Sequence, residues 1–130
     1  MIGDSTYINL QYSMQCSIIT LKSQAGAGAP NVWLEAGIHA REWIAPAVAT
    51  YLVNELVNNN DAHPDYLDKI NWYFIPCANP DGYSYSWETD RMWRKTRSPQ
   101  GGCFGVDPNR NWDYHWGGNV SESGVKCCLL

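Results

Sequence analysis

Apolar residues along the chain fall into short runs punctuated by glycine, proline and asparagine, and the period changes from run to run. Cys16-Ser-Ile-Ile-Thr-Leu21 is short and rich in β-branched residues, which predicts a strand; residues 1–16 otherwise show no regular pattern. The Gly and Pro residues of 24–30 mark a surface turn. Val32-Trp-Leu-Glu-Ala36 is nearly continuously apolar and ends at Gly37, as a strand buried in a parallel or mixed sheet would. Ile44, Val48, Leu52 and Leu56 then recur every four residues, flanked by Ala45, Ala49 and Val53, with Asn54, Glu55 and Asn58 on the other side. That spacing predicts a helix over about residues 43–58. Pro46 sits in its first turn, where a missing N–H costs nothing, and Asn58-Asn-Asn-Asp61 stops it. A helical turn is expected at 65–69 and a second buried strand at Trp72-Tyr-Phe-Ile75. Asn79-Pro-Asp-Gly82 reads as a turn, 82–94 as a short aromatic helix, 98–102 as a loop and 104–112 as irregular chain.

The order strand, helix, strand implies an α/β sheet with a crossover helix. Ligands in such sheets bind beyond the carboxyl ends of the strands. If the two central strands run parallel, His39 and the turn at Asn79 share one rim, and the chemistry is sought there.

Composition narrows the function classes. The 130 residues are 45% hydrophobic and 17% charged, an ordinary globular balance that favours one compact domain over fibrous or disordered chain. No apolar run approaches the ~18 residues of a membrane span. The opening Met-Ile-Gly-Asp-Ser-Thr-Tyr lacks the basic head and apolar run of a secretory signal. A net charge of −4 argues against nucleic acid as a partner. Positive charge is nevertheless concentrated, with Arg91, Arg94, Lys95 and Arg97 within seven positions. Five cysteines and no CxxC pair fit neither a closed disulfide framework nor a zinc knuckle. Seven Trp and eight Tyr could line a sugar-binding face, but that reading explains none of the ordered motifs below.

His39-Ala-Arg-Glu42 places an imidazole and a carboxylate three residues apart at a strand-to-helix junction, where both could reach one divalent ion. A mixed nitrogen and oxygen set suits zinc better than calcium or magnesium. An isolated pair of this kind is as readily a surface His and a Glu at a helix N-terminus. Its context adds Gly37-Ile-His-Ala-Arg-Glu-Trp-Ile44, Asn79-Pro-Asp-Gly-Tyr83, Met92-Trp-Arg-Lys-Thr-Arg97 and Gly105-Val-Asp-Pro-Asn-Arg-Asn-Trp112, in that order. The series closely resembles the zinc metallocarboxypeptidases of the carboxypeptidase A/B type, most strongly over residues 32–116.

That resemblance implies an α/β fold with an incomplete mixed, mostly parallel sheet and flanking helices, zinc as cofactor, and hydrolysis of the last peptide bond of peptides or proteins. By position, His39 and Glu42 match two of the three protein zinc ligands, and Asp107 the carboxylate that orients the zinc-binding His. Arg94 matches the group that stabilises the oxyanion. Asn109 and Arg110 match the pair that grips the substrate's C-terminal carboxylate, and Arg41 a further contact to the peptide. Arg91, Lys95 and Arg97 are left as solvated loop charges. The family takes a third His ligand and a catalytic Glu from segments with no match here. His63 reads as a surface loop residue, and His115 lies in a family-like stretch without a ligand role. The expectation is therefore the N-terminal part of a catalytic domain over residues 1–118, with a divergent tail at 119–130 and little activity by itself. The resemblance also implies an extracellular setting and a disulfide from Cys103 to Cys127 or Cys128. Asn119-Val-Ser121 fits a glycosylation sequon. Half a sheet would leave apolar surface and a strand edge uncovered, which predicts poor solubility. The competing class is a non-catalytic protein that grips peptide C-termini through Asn109, Arg110 and Arg94.

Overall fold

The computed structural model describes residues 11–13, 16–100 and 102–112. They form two compact units, one built from residues 11–13, 16–36 and 44–78 and the other from 37–43, 79–100 and 102–112.

The first unit is a mixed sheet with helices. Its strands are β1 (Gln11–Ser13), β2 (Cys16–Leu21), β3 (Asn31–Glu35) and β4 (Asn71–Ile75), in the order β1-β2-β4-β3. β2, β3 and β4 form where the apolar runs predict them, and β1 adds a short strand in a stretch read as irregular. β1 pairs with β2, and β2 with β4, antiparallel; β3 and β4 run parallel from Asn31↔Asn71 to Glu35↔Ile75. Parallel pairing requires a crossover, supplied by α1 (Ile44–Asn58) and the short α2 (Asp65–Asp68). The pairing continues past the strand ends, where the Ala36 amide donates to the Ile75 carbonyl at 2.9 Å and the Ala78 amide to the Ala36 carbonyl at 2.8 Å. Leu21 and Phe74 on neighbouring strands are fully buried and form the centre of this unit's core.

Two burial expectations change. β3 is an edge strand among the described residues, and its burial alternates because one of its two faces is uncovered, leaving Trp33 56% open. On α1 the inward side is marked by buried Ala49, whereas Ile44, Val48 and Leu52 of the predicted stripe are exposed. A small side chain lets a helix approach a neighbouring element closely, and α1, which touches β4, buries Ala49 rather than these larger residues. Apolar residues left open over more than one helical turn promote association. The chain is expected to self-associate at tens of micromolar, and the double substitution Val48→Lys with Leu52→Lys to shift it toward monomer in sedimentation velocity. A monomeric, cooperative melt of the unsubstituted chain would contradict this.

The second unit holds α3 (Pro80–Glu88), a hairpin of β5 (Pro99–Gln100) and β6 (Cys103–Phe104), and a 3₁₀ turn at Pro108–Arg110. α3 corrects the expected helix at both ends. Asn79-Pro-Asp-Gly82 is its amino terminus: the Asn79 side chain accepts from the Gly82 amide and Pro80 occupies the first turn. It stops at Glu88 instead of Arg94, because the Thr89 and Asp90 amides both close back on the Tyr85 carbonyl and Asp90 then caps the Met92 amide. Arg97 departs from the solvated reading, its guanidinium lying 3.6 Å from the Tyr85 ring centre, 4.5 Å from Trp93 and 4.6 Å from Phe104.

Candidate functional site

All seven residues singled out for chemistry lie in the second unit: His39, Arg41 and Glu42 on the turn after β3, and Arg94, Asp107, Asn109 and Arg110 downstream of α3. Asn79 joins the two parts. Its side-chain Oδ1 caps α3 through the Gly82 amide at 3.0 Å, while Nδ2 donates to the Lys95 carbonyl at 2.9 Å and the Ile38 carbonyl at 3.3 Å. The Asn79 amide also donates to the Gly37 carbonyl at 3.1 Å, which joins the turn that holds His39 to the start of α3. The Ala40 amide then donates to the Arg94 carbonyl at 3.0 Å. Trp43 Nε1 donates to Ser86 Oγ at 2.9 Å, and that hydroxyl in turn faces the Tyr83 and Ala40 carbonyls.

This scaffold brings four of the seven side chains together. His39 is 6% exposed. Its Nδ1 is 2.9 Å from Glu42 Oε1, and its Nε2 is 3.1 Å from Asp107 Oδ1. Arg94 Nε donates to Asp107 Oδ2 at 2.8 Å, and Arg94 Nη1 stands 3.7 Å from Glu42 Oε1. Asp107 also accepts from the Asn109 amide at 2.9 Å, which starts the 3₁₀ turn. Burial pushes the Asp107 carboxyl pKa up, but the bond from Arg94, the Asn109 amide, the Arg94 charge and the bond from His39 together outweigh it. The acid is left below its ordinary value.

Both imidazole nitrogens of His39 thus face carboxylate oxygens. An ionised carboxylate only accepts. If Nε2 donates to Asp107, a neutral ring turns the lone pair of Nδ1 toward another acceptor, Glu42. The pair is satisfied only with a proton or a metal cation between Nδ1 and Oε1. A nitrogen donor and a carboxylate oxygen converging on one point, with the distal ring nitrogen held by a second carboxylate, is the donor chemistry of zinc. Among the described residues no group of three or more His, Cys, Asp or Glu side chains is arranged to hold a metal.

The remaining three candidates stand outside this cluster. Asn109 and Arg110 are exposed on the 3₁₀ turn, Arg110 Nη1 donating to the Asn109 carbonyl at 2.9 Å. Arg41 enters through its backbone, its carbonyl accepting from Arg91 Nη1 at 2.9 Å. His63 is exposed and stacks on Tyr66, away from metal chemistry. Cys103 is disulfide-bonded. His115, Asn119, Cys127 and Cys128 lie outside the described residues.

Sequence reasoning missed Asn79, Ser86 and Trp43 as the fasteners of the site. The signal for Asn79 was present, since Asn directly before Pro is the pattern of a helix cap followed by a first-turn proline. Ser86 and Trp43, 43 residues apart, meet only once the chain is folded.

Residues 8–128 match the family described as zinc carboxypeptidase. Carboxypeptidase B of Astacus astacus is 47% identical over 92% of this chain and 40% of its own length. Zinc carboxypeptidase A 1 of Drosophila melanogaster is 52% identical over 78% of the chain and 24% of its own length. The crystal structure of thrombin activatable fibrinolysis inhibitor superposes with a TM-score of 0.75 at 33% identity, covering 87% of this chain and 29% of that one. Carboxypeptidase A from Helicoverpa armigera superposes with a TM-score of 0.73 at 30% identity over 86% of this chain and 28% of that one. The chain spans about two-fifths or less of the length of these relatives. With the family match extending over nearly the whole chain, this protein belongs to the zinc carboxypeptidase family.

Proposed function

We propose that this chain carries the metal-binding turn and the carboxylate-recognising arm of a zinc-dependent carboxypeptidase, a hydrolase that releases the last residue of a peptide or protein in an extracellular setting. The observation that carries the reading is His39 between two carboxylates, with Nδ1 and Glu42 Oε1 2.9 Å apart and in need of a cation. His39 and Glu42 would hold the ion, and Asp107 would fix the ring tautomer that leaves Nδ1 as donor atom. Zinc, when bound, polarises a carbonyl and acidifies water.

Each nearby group has a role its chemistry suits. Arg94 is anchored through Nε on Asp107, and its Nη2 makes no hydrogen bond among the described residues. A guanidinium held in this way is a preorganised donor for an oxyanion developing beside the metal turn. Arg110 supplies a planar fork and Asn109 a directional amide, which together recognise a terminal carboxylate in a way a Lys cannot. Their turn hangs on the same Asp107 that orients His39, so recognition and metal binding share one support. Arg41 is assigned a contact to the peptide chain.

With two metal donors among the described residues, the chain by itself is expected to bind more readily than to cleave. That favours, as second reading for the isolated chain, capture of peptide C-termini without turnover. Calorimetry with matched peptides ending in a free or an amidated carboxyl tests both readings. Loss of one charge-assisted fork costs about 1.5–3 kcal/mol, roughly 10- to 100-fold in affinity. Free-acid peptides should bind tighter by that factor, and Arg110→Ala should abolish the preference. Equal binding of the two peptide forms would remove the clamp. Zinc-dependent release of C-terminal residues by the 130-residue chain would overturn the expectation of inactivity and confirm the hydrolase reading outright.

A further inference from the structure

Arg91 reads from sequence as a solvated loop charge, yet its guanidinium is fixed on two sides. Its centre lies 3.6 Å from the ring centre of Trp43, and Trp43 itself stacks on Trp87 with ring centres 4.0 Å apart and planes within 8°. From this stack Nη1 donates to the Arg41 carbonyl at 2.9 Å, 50 positions away in the chain. Trp43 cannot swing away to release it, because its indole nitrogen is bound to Ser86 Oγ.

The carbonyl that Arg91 holds belongs to the peptide unit between Arg41 and Glu42. The N–H of that same unit, on Glu42, donates to the His39 carbonyl at 3.2 Å. One peptide plane is therefore pinned at both ends, its N–H by His39 and its C=O by Arg91. Since a planar peptide moves as a unit, its orientation fixes the backbone at the Glu42 Cα and with it the direction in which the Glu42 side chain leaves. Without Arg91 the Arg41 carbonyl is free to turn toward water, the plane rotates, and Oε1 departs from Nδ1.

We propose that Arg91 is a positioning residue for the metal-binding turn. It acts through the 41–42 peptide and not on the metal or substrate, and the proposal rests on reading His39 and Glu42 as zinc ligands. Lys cannot replace it, because an ammonium has no planar face to lie on an indole while directing a second N–H sideways. An exposed cation–π contact by itself contributes only about 0.5–1 kcal/mol, so the expected effect is on local order, not on overall folding. Arg97, stacked on three rings of the same unit, provides the control that a merely structural arginine requires.

The test uses the full chain as wild type, Arg91→Ala, Arg91→Lys and Arg97→Ala. Hydrogen exchange of the Glu42 amide is followed without metal, and zinc affinity is measured by competition with a chelator. Both Arg91 variants should exchange the Glu42 amide about tenfold faster. They should also bind zinc about tenfold more weakly, the scale seen for groups that orient ligands. Arg97→Ala should change global stability and neither of these readouts. Unchanged Glu42 exchange in Arg91→Ala overturns the inference, as does faster exchange with wild-type zinc affinity, or equal effects from Arg97→Ala. A wild-type chain that binds no zinc would instead overturn the ligand assignment, while the metal-free exchange still decides whether Arg91 holds the turn.

Discussion

Gly105→Ala is expected to unfold the second unit. Gly105 has a φ of +76°, and a Cβ built on it would lie 2.0 Å from the Thr96 carbonyl oxygen, 2.9 Å from its carbon and 3.0 Å from Lys95 Cβ. The obstacle cannot rotate aside. The Thr96 carbonyl accepts from Trp93 Nε1 at 3.3 Å, the Thr96 amide donates to the Val106 carbonyl at 3.0 Å, and the Gly105 amide is tied to the Ser98 carbonyl at 2.7 Å. Left-handed backbone costs a side-chain-bearing residue roughly 1–2 kcal/mol. A Cβ held 2.0 Å from a fixed backbone oxygen adds more, so a total above ~4 kcal/mol is expected. Gly26 separates the two contributions, since it has nearly the same φ (+78°) but nothing within 4 Å of its notional Cβ. Gly26→Ala should therefore cost only about 1–2 kcal/mol. Thermal or urea melts of the two variants provide the comparison, and equal losses would mean that the contact with Thr96 is not decisive.

Asp107→Ala should weaken metal binding by about 10- to 100-fold, the usual effect of removing a carboxylate that orients a ligand imidazole. It should also cost about 2–4 kcal/mol of stability. His39 Nε2, the Arg94 guanidinium and the Asn109 amide would lose their common acceptor, and breaking a buried pair leaves its partner uncompensated. The partly exposed Arg94 can regain water, which keeps the cost toward the lower end. Asp107→Asn separates charge from shape through its pH dependence. The folded-state pKa of Asp107 is depressed, so its contribution is complete above the unfolded value of ~3.9 and is lost as pH falls through the folded value. Wild type should lose stability below about pH 4 more steeply than Asp107→Asn, with parallel behaviour at neutral pH. Identical acid limbs would show that the carboxylate charge contributes nothing.

Local signals were sufficient wherever one run of residues decides one element. The β-branched run at Cys16–Leu21 and the aromatic run within Asn71–Ile75 are strands because their apolar length and polar flanks admit little else. His39, Glu42, Arg94 and Asp107 were legible because three of the four ordered motifs carry them, and the fold brings all four side chains into one polar group. What sequence hid was set by tertiary neighbours. Whether both faces of β3 are covered depends on what packs against them, so continuous apolarity overstated its burial. α1 turns Ala49 inward because close approach to a sheet favours the small side, which a four-residue apolar period does not reveal. α3 begins earlier than the turn signal suggested because capping and turning use the same residue types. Arg91 and Arg97 looked like loop charges because charge runs usually are, and only the folded chain sets rings beneath them.

The turn after β3 is proposed to hold a zinc ion between His39 and Glu42. Calorimetric titration of zinc into the wild-type chain, His39→Ala and Glu42→Gln tests it most directly. One zinc per wild-type chain is expected, with affinity at least tenfold weaker in both variants. Equal zinc binding by all three proteins would contradict the claim.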